Sequence, residues 1–171
     1  SFPTRRSSDL PWRDARLVWG GGAKRIEIKS PYQFSTNSWK SRSTSRVFSN
    51  LEWRPAESWV INGGASLEND SVVGWLFDPR FSVSYHVMPN HTVRLIASRA
   101  HRTPSMYEAF GDVQKTAMGT NQLVDRAYLA APGIQAERID SLEFGYLGEF
   151  KAINASLDLR AFREKIPNRI Q

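Results

Sequence analysis

Few residues in this chain are spaced for chemistry. The histidines are His86, His91 and His101, and none stands at a metal-ligand spacing from another. The nearest pair, His86 and His91, brackets the turn-like run Met88-Pro89-Asn90. A lone histidine in such a setting reads as a polar wall group rather than a ligand. Cysteine is absent, which removes thiolate metal sites and a disulfide framework. Ser105 near His101 is the one serine–histidine candidate for hydrolysis, and Ser105→Ala would test it. There is no Gly-x-Ser-x-Gly elbow. Gly20-Gly21-Gly22 lacks the Lys-Ser/Thr that would let it cradle a phosphate. The residues therefore predict no catalytic, metal or cofactor-binding site, and function must be sought in the elements themselves.

Charge gives little direction. The formal net charge is +6, but Lys and Arg are scattered among acids. The densest group, Arg94, Arg99 and Arg102, lies close to Glu108 and Asp112. A nucleic-acid surface needs a basic stripe, and none is present. The first ten residues, Ser-Phe-Pro-Thr-Arg-Arg-Ser-Ser-Asp-Leu, look like a translated sequencing adapter. They are expected to be non-native, with residues 11–171 a piece of a longer protein. Setting aside Arg5, Arg6 and Asp9 takes the charge from +6 to +5.

The dominant pattern is period-two alternation, which marks strands with two unlike faces. Leu142, Phe144, Tyr146 and Phe150 alternate with Glu143, Gly145 and Glu149. Trp59, Ile61, Ala65 and Leu67 alternate with Asn62, Gly64 and Ser66, and Phe81, Val83, Tyr85 and Val87 with Ser82, Ser84 and His86. Val93, Leu95 and Ala97 flank Arg94, and Ala155, Leu157, Leu159 and Ala161 flank Asp158 and Arg160. Phe48, Ile96 and Leu147 break the pattern. The connections at 54–57, 88–90 and 151–154 are short, with Pro and Asn in turn positions. Those at 30–45, 69–78 and 101–135 are read as long. Residues 15–29 read as one strand with a bulge near Gly20-Gly21-Gly22, because Leu17 and Trp19 differ in register from Ile26 and Ile28. A short helix is expected within 117–129. About seven strands in an antiparallel up-and-down meander result, an all-β fold.

A soluble β-sandwich and a membrane barrel wall both alternate. Three features favour the wall: short turns at one end and long loops at the other, Trp53 and Trp59 beside the turn at Pro55, and charges in mid-strand. Arg94, Glu143, Glu149, Asp158 and Arg160 suit a wet lumen, since Arg at the lipid midplane costs roughly 2–4 kcal/mol. Pattern alone leaves both readings standing.

A family resemblance decides between them. Asp78-Pro79-Arg80-Phe81-Ser82-Val83-Ser84-Tyr85 followed by Asn90-His91-Thr92-Val93-Arg94 resembles successive strand openings in barrels of TonB-dependent receptors. Arg102-Thr103-Pro104, with Glu108 four residues after the proline, is similar to that family's aromatic-Arg-x-Pro-x-x-x-Glu signature. Ala136-Glu137 and Glu143-Phe144-Gly145-Tyr146 resemble its Pro-Glu and Glu-x-Gly-Tyr pair, and Phe162 with Ile166 and Ile170 resembles its strand ending. His101 and Ala136 depart from the usual aromatic and proline.

The resemblance implies a partial segment of a transmembrane β-barrel in the outer membrane of a Gram-negative bacterium. Such receptors take up metal chelates, chiefly ferric siderophores, with energy from TonB. A plug domain, which would lie outside this piece, fills the lumen. Lipid and lipopolysaccharide are the expected surroundings. Arg102, Pro104, Glu108, Glu137, Glu143, Gly145, Tyr146 and Phe162 are then structural motif positions. Arg94, Glu143, Asp158 and Arg160 are lumen-facing charges, Arg102 and Glu108 are expected to pair at the rim, and Gly145 to leave room for an approaching segment. The loops at 30–45 and 101–135 are the expected ligand-binding parts. A passive porin or adhesin-like barrel and a soluble β-domain are the alternatives.

Overall fold

The computed structural model describes residues 4–11, 14–119 and 122–167, with side chains from residue 14 onward. Eight antiparallel strands form one sheet in the order β1-β2-β3-β4-β5-β6-β9-β10. They are β1 (Thr4–Pro11), β2 (Ala15–Ile28), β3 (Lys40–Ala56), β4 (Trp59–Asp70), β5 (Gly74–Met88), β6 (His91–Arg102), β9 (Glu137–Phe150) and β10 (Ala155–Lys165). Between β6 and β9 the chain leaves the sheet, forming α2 (Met106–Phe110) and a separate hairpin of β7 (Asp112–Thr116) and β8 (Leu123–Leu129). A single helical turn, α1 (Pro31–Phe34), lies between β2 and β3.

Apart from the β6–β9 excursion, each strand pairs antiparallel with its sequence neighbour. Residues paired directly across a ladder share a face. One row runs Trp59, Tyr85, Val93, Tyr146, Leu159, and the next runs Trp53, Ile61, Val83, Leu95, Phe144, Ala161. These rows build one apolar face. Its large side chains are left open: Leu142 is 50% exposed, Phe144 51% and Leu159 55%. Among the described residues the buried hydrophobic ones are Phe34, Leu76 and Ala136 alone. A soluble sandwich would cover its apolar stripe with a second sheet; among the described residues the only other sheet is the small β7–β8 hairpin, and the stripe stays exposed.

The apolar face also slides. Outward positions first become charged at Arg25 on β2, Arg99 on β6, Asp140 on β9 and Arg163 on β10. The row through Arg163 runs by Leu142, Ala97, Phe81, Gly63 and Leu51 to Leu17. Leu17 lies well below Arg25, so the edge drops roughly eight residues over six strand steps, or roughly 4.5 Å of slide per 4.8 Å sideways. That slope is a strand tilt of roughly 40°, inside the range of barrel walls. On β5 the outward aromatics Trp75 and Tyr85 bound the band; they are separated by roughly 33 Å of strand, which projects at that tilt to roughly 25 Å. A lipid-facing band of a barrel has that height.

Several local expectations are corrected. The ladder between β2 and β3 is unbroken from Ala15↔Trp53 to Ile28↔Lys40, so there is no bulge at Gly20–Gly22. Ile26 and Ile28 are half-buried and occupy the inner parity because they lie above the lipid edge, where the outward positions, Arg25 and Glu27, are polar. The real irregularity falls between Trp53 and Ala56, at Pro55, which cannot donate to the ladder. The β4–β5 connection is only residues 71–73, held by Asp70 Oδ1 accepting from Val72 N at 2.8 Å and Val73 N at 3.3 Å. The first long loop is residues 29–39, since β3 starts at Lys40. The helix of the long excursion is Met106–Phe110, and residues 123–129 are strand instead. The backbone of β1 pairs with β2 from Thr4↔Ala23 to Pro11↔Arg16.

Candidate functional site

The family-signature positions converge at the long-loop end of the sheet. Arg102 ends β6 and pairs across the ladder with Glu137, the first residue of β9. Its Nε donates to Glu137 Oε2 at 2.7 Å, and its Nη2 to Glu108 Oε1 at 3.2 Å. Glu108 in turn accepts from Ser105 N at 2.7 Å, while Ser105 Oγ accepts from Glu108 N at 3.1 Å. This reciprocal capping box starts α2. The Ser105 N–H and the Arg102 guanidinium hold the Glu108 carboxyl below the usual carboxylate range, against a smaller desolvation effect. Arg102 thus ties both ends of the excursion to its first helix.

Pro104 ends the strand and is fully buried. Its carbonyl accepts from Arg42 Nη1. Arg42, on β3, also donates from Nε to Asp70 Oδ2 at 2.6 Å, with side-chain exposures of 7% and 0%. Thr44 Oγ1 donates to the same oxygen at 2.9 Å. The Arg42–Asp70 pair was not foreseen. Its partners stand far apart in sequence, and a buried ion pair leaves no periodic signal.

Loop and excursion pack together beyond this corner. Phe34 of α1 is buried, Ser35 Oγ donates to Asp112 O at 2.7 Å, and Lys40 Nζ lies 5.8 Å from the Phe110 ring centroid. Tyr107 and Tyr128 stack with centroids 4.4 Å apart. A Cβ on Gly111 would meet Tyr107 O at 2.5 Å and the Tyr128 ring at 2.6 Å, so glycine permits this docking. Tyr32 and Trp39 remain exposed on the same end.

The mid-strand charges occupy the face opposite the apolar one. Arg94 Nη2 donates to Glu143 Oε1 at 2.8 Å. Arg160 is opposite Gly145, and its Nη2 donates to Asp158 Oδ2 at 2.7 Å. Phe162 is opposite Glu143 on this face, largely exposed. Above them a trough of about 690 Å³ is lined by Thr44, Arg46, Asn50, Glu68, Arg80 and Ser98 among others. Arg94 lies beside Gly145, and an added Cβ would meet Arg94 Nε and Leu159 O at an ordinary 3.8 Å.

Tyr146 belongs to the apolar face, at the short-turn end. Its hydroxyl and His91 Nδ1 hydrogen-bond at 2.7 Å, and Phe150 meets His91 edge-on at 5.2 Å. Trp59 and Tyr85, 4.5 Å apart, continue the aromatic row. On β9 the crowded glycine is Gly148, where a Cβ would sit 2.5 Å from Tyr146 Oη. The serine–histidine candidate is not assembled: His101 Nδ1 bonds Asp78 Oδ1 at 2.6 Å, and Ser105 caps α2. Among the described residues no group of three or more His, Asp or Glu is placed to hold a metal.

A tilted, one-sidedly apolar meander with a hydrogen-bonded, packed loop end is the wall of a membrane β-barrel. The sequence profile of the family described as TonB dependent receptor-like, beta-barrel matches residues 4–171, and the chain belongs to that family. Solved structures agree on the fold. The ferric enterobactin receptor PfeA of Pseudomonas aeruginosa, as the G324V mutant, superposes with a TM-score of 0.80 at 16% identity, over 98% of this chain and 26% of that one. The siderophore receptor PirA of the same organism gives 0.79 at 15% identity, over 95% and 31%. PirA of Acinetobacter baumannii gives 0.71 at 14%, over 98% and 26%. The chain therefore spans about a quarter to a third of the structures it matches. No curated protein matches the sequence.

Proposed function

We propose that this chain supplies wall strands and outer loops to an outer-membrane receptor that takes up a ferric siderophore with energy from TonB. Its work is binding and transport rather than catalysis. The observation that carries the reading is the sliding apolar band, backed by a polar face, in a chain of this family. The solved receptors PfeA and PirA, named for ferric enterobactin and for siderophores, supply the ligand class. Residues 29–39 and the 103–136 excursion stand at the loop end and are the ligand-contacting parts in this reading. The ion pairs of Arg102 and Arg42 hold their bases in place, since binding by loops needs a rigid scaffold.

The inner charges, Arg94, Glu143, Asp158 and Arg160, are read as the surface that meets the receptor's plug. Residues 1–10 are still read as non-native. The pairing of β1 is compatible with that, because the free edge of β2 is a template for any extended segment.

The experiment is uptake of radioactive iron by cells whose sole siderophore receptor is the full-length protein. Uptake that vanishes with TonB and returns with it fits the proposal; equal uptake without TonB makes the protein a passive porin. Glu143→Ala and Arg160→Ala should loosen the plug and slow transport. Wild-type plug stability in both variants would remove the plug assignment alone.

A further inference from the structure

The ladder between β5 and β6 does not reach the loop end of the sheet. It runs from Met88↔His91 only to Arg80↔Ser98. Above that point residues 74–79 of β5 stay paired with β4, as far as Asp70↔Gly74. Residues 99–102 of β6 stay paired with β9, as far as Arg102↔Glu137. Pro79 stands where the pairing stops and has no N–H to offer a ladder. The trough on the inner face runs up to this parting, where Asp78, Arg80, Ser98, Arg99 and Ala100 line it. The upper wall therefore consists of two leaves, one ending in β5 and the other beginning with β6.

Among the described residues one side-chain hydrogen bond joins the two facing strands above the split. His101 Nδ1 lies 2.6 Å from Asp78 Oδ1, with side-chain exposures of 14% and 23%. By their ladders these two residues belong to opposite faces. Asp78 is opposite Ser66, on the inner face, while His101 is opposite Arg138 and shares the outer face with Arg99. In a continuous sheet, residues of opposite parity on neighbouring strands point away from each other. The bond between them therefore requires the leaves to be rotated against each other at the parting. The excursion crosses the same line. It leaves the sheet at Arg102, yet the Pro104 carbonyl accepts from Arg42 of β3, and Asp112 O from Ser35. The loop at 29–39 belongs to one leaf and the excursion starts from the other, so their relative position is set across the split.

From this geometry we infer that the wall is hinged between β5 and β6 at its loop end, and that the Asp78–His101 pair is the clasp that keeps it shut. While bonded, the pair fixes the distance between the two parts that contact ligand in the proposed function. Once it is broken, the leaves separate above Ser98 and the mouth widens between β5 and β6. His101 is in this sense a positioning residue. The inference concerns the wall itself and rests on the proposed function only for the use the two loops are put to.

The test uses the full-length receptor in bilayers, spin-labelled at Asn69→Cys and Lys165→Cys, exposed positions on either leaf. Pulsed electron resonance reads the distance between the labels, and hydrogen exchange reads residues 99–102. With the clasp unaltered the labels should give one narrow distance. His101→Phe keeps a ring of similar size but loses the hydrogen bond, so the distance should lengthen and broaden. Exchange at residues 99–102 should quicken roughly ten- to a hundred-fold, with residues 81–97 unchanged. His101→Gln, whose amide still donates to Asp78, should keep the narrow distance. An unchanged distance in His101→Phe, a distribution in His101→Gln as broad as in His101→Phe, or exchange that quickens equally below Ser98 would overturn the clasp. Iron uptake that does not need TonB removes the proposed function and leaves this result standing.

Discussion

Replacing Asp70 by alanine should open the loop end while leaving the apolar wall intact. Asp70 accepts from Arg42 Nε, Thr44 Oγ1, Val72 N and Val73 N, and its side chain is fully shielded. Without it the Arg42 guanidinium keeps only the Pro104 carbonyl, at 7% exposure. A cation stranded in that way costs roughly 3–5 kcal/mol. Removing the other partner is cheaper. In Arg42→Met the carboxylate keeps three donors, and methionine fills much of the vacated volume, so the loss is roughly 1–3 kcal/mol. The double variant Arg42→Met/Asp70→Ala strands no charge and should cost less than the two single changes added together. The loss is local, because the strands below are held by their own ladders. Hydrogen exchange in the full-length receptor reads it directly at Val72, Val73 and residues 103–110. Exchange there should quicken by roughly two to three and a half decades in Asp70→Ala, with β9 unchanged below Leu142. A change under about 1 kcal/mol, or strict additivity in the double variant, would show that the buried pair does not hold the excursion.

Other predictions concern single contacts. Ser105→Ala should cost α2 roughly 1 kcal/mol of local stability, read as faster exchange at Glu108 and Ala109. Because the folded Glu108 carboxyl is held below its ordinary value, its contribution is full above that ordinary value and is lost as pH falls through the depressed one. Protection of α2 should therefore persist into mild acid, and Glu108→Gln should abolish that pH dependence. Gly145→Ala should change stability by less than roughly 0.5 kcal/mol, since its Cβ meets nothing closer than ordinary contact. Gly148→Ala should cost roughly 1–2 kcal/mol by displacing the Tyr146 hydroxyl from His91. Urea titration of the two variants side by side gives the contrast, and equal effects would contradict it. Leu95→Arg should impair barrel insertion by roughly 2–4 kcal/mol while Ile96→Arg, on the polar face, is tolerated; folding yield into bilayers distinguishes them.

The strands that cross the lipid band were legible because lipid demands an apolar residue at every second position. β4, β6, β9 and β10 were read nearly to their ends for that reason. Even the irregular residues obey the period: Phe48 pairs with Ser66, Ile96 with Glu143 and Leu147 with Asp158, all on the polar face. Legibility stops where the band stops. Above it β3 presents Ser41, Ser43 and Ser45 outward, so a regular strand looks like a loop. Residues 69–78 read as a long connection, yet β5 already begins at Gly74 and runs on through Asp78 and Pro79, the proline lying opposite Ala65. The inversion at Ile26 and Ile28 imitated a bulge for the same cause, an outside no longer made of lipid. At the candidate site, Arg102, Pro104 and Glu108 were marked by family resemblance, and the Arg102–Glu108 pairing followed from it. Glu137 as the closer partner needed the β6–β9 register, which the intervening excursion hides. Arg42 and Asp70 needed three strands in place before they could meet.

The most direct measurement of the central claim is solvent mapping of one strand across the band. Cysteines are introduced singly at Leu142, Glu143, Phe144, Gly145 and Tyr146 in the full-length receptor, over a segment with no native cysteine, and spin-labelled in bilayers. The account predicts alternation, with labels at 142, 144 and 146 relaxed by lipid-dissolved oxygen and those at 143 and 145 by a water-soluble nickel chelate. Oxygen contact at 143 and 145, or no alternation at all, would contradict it.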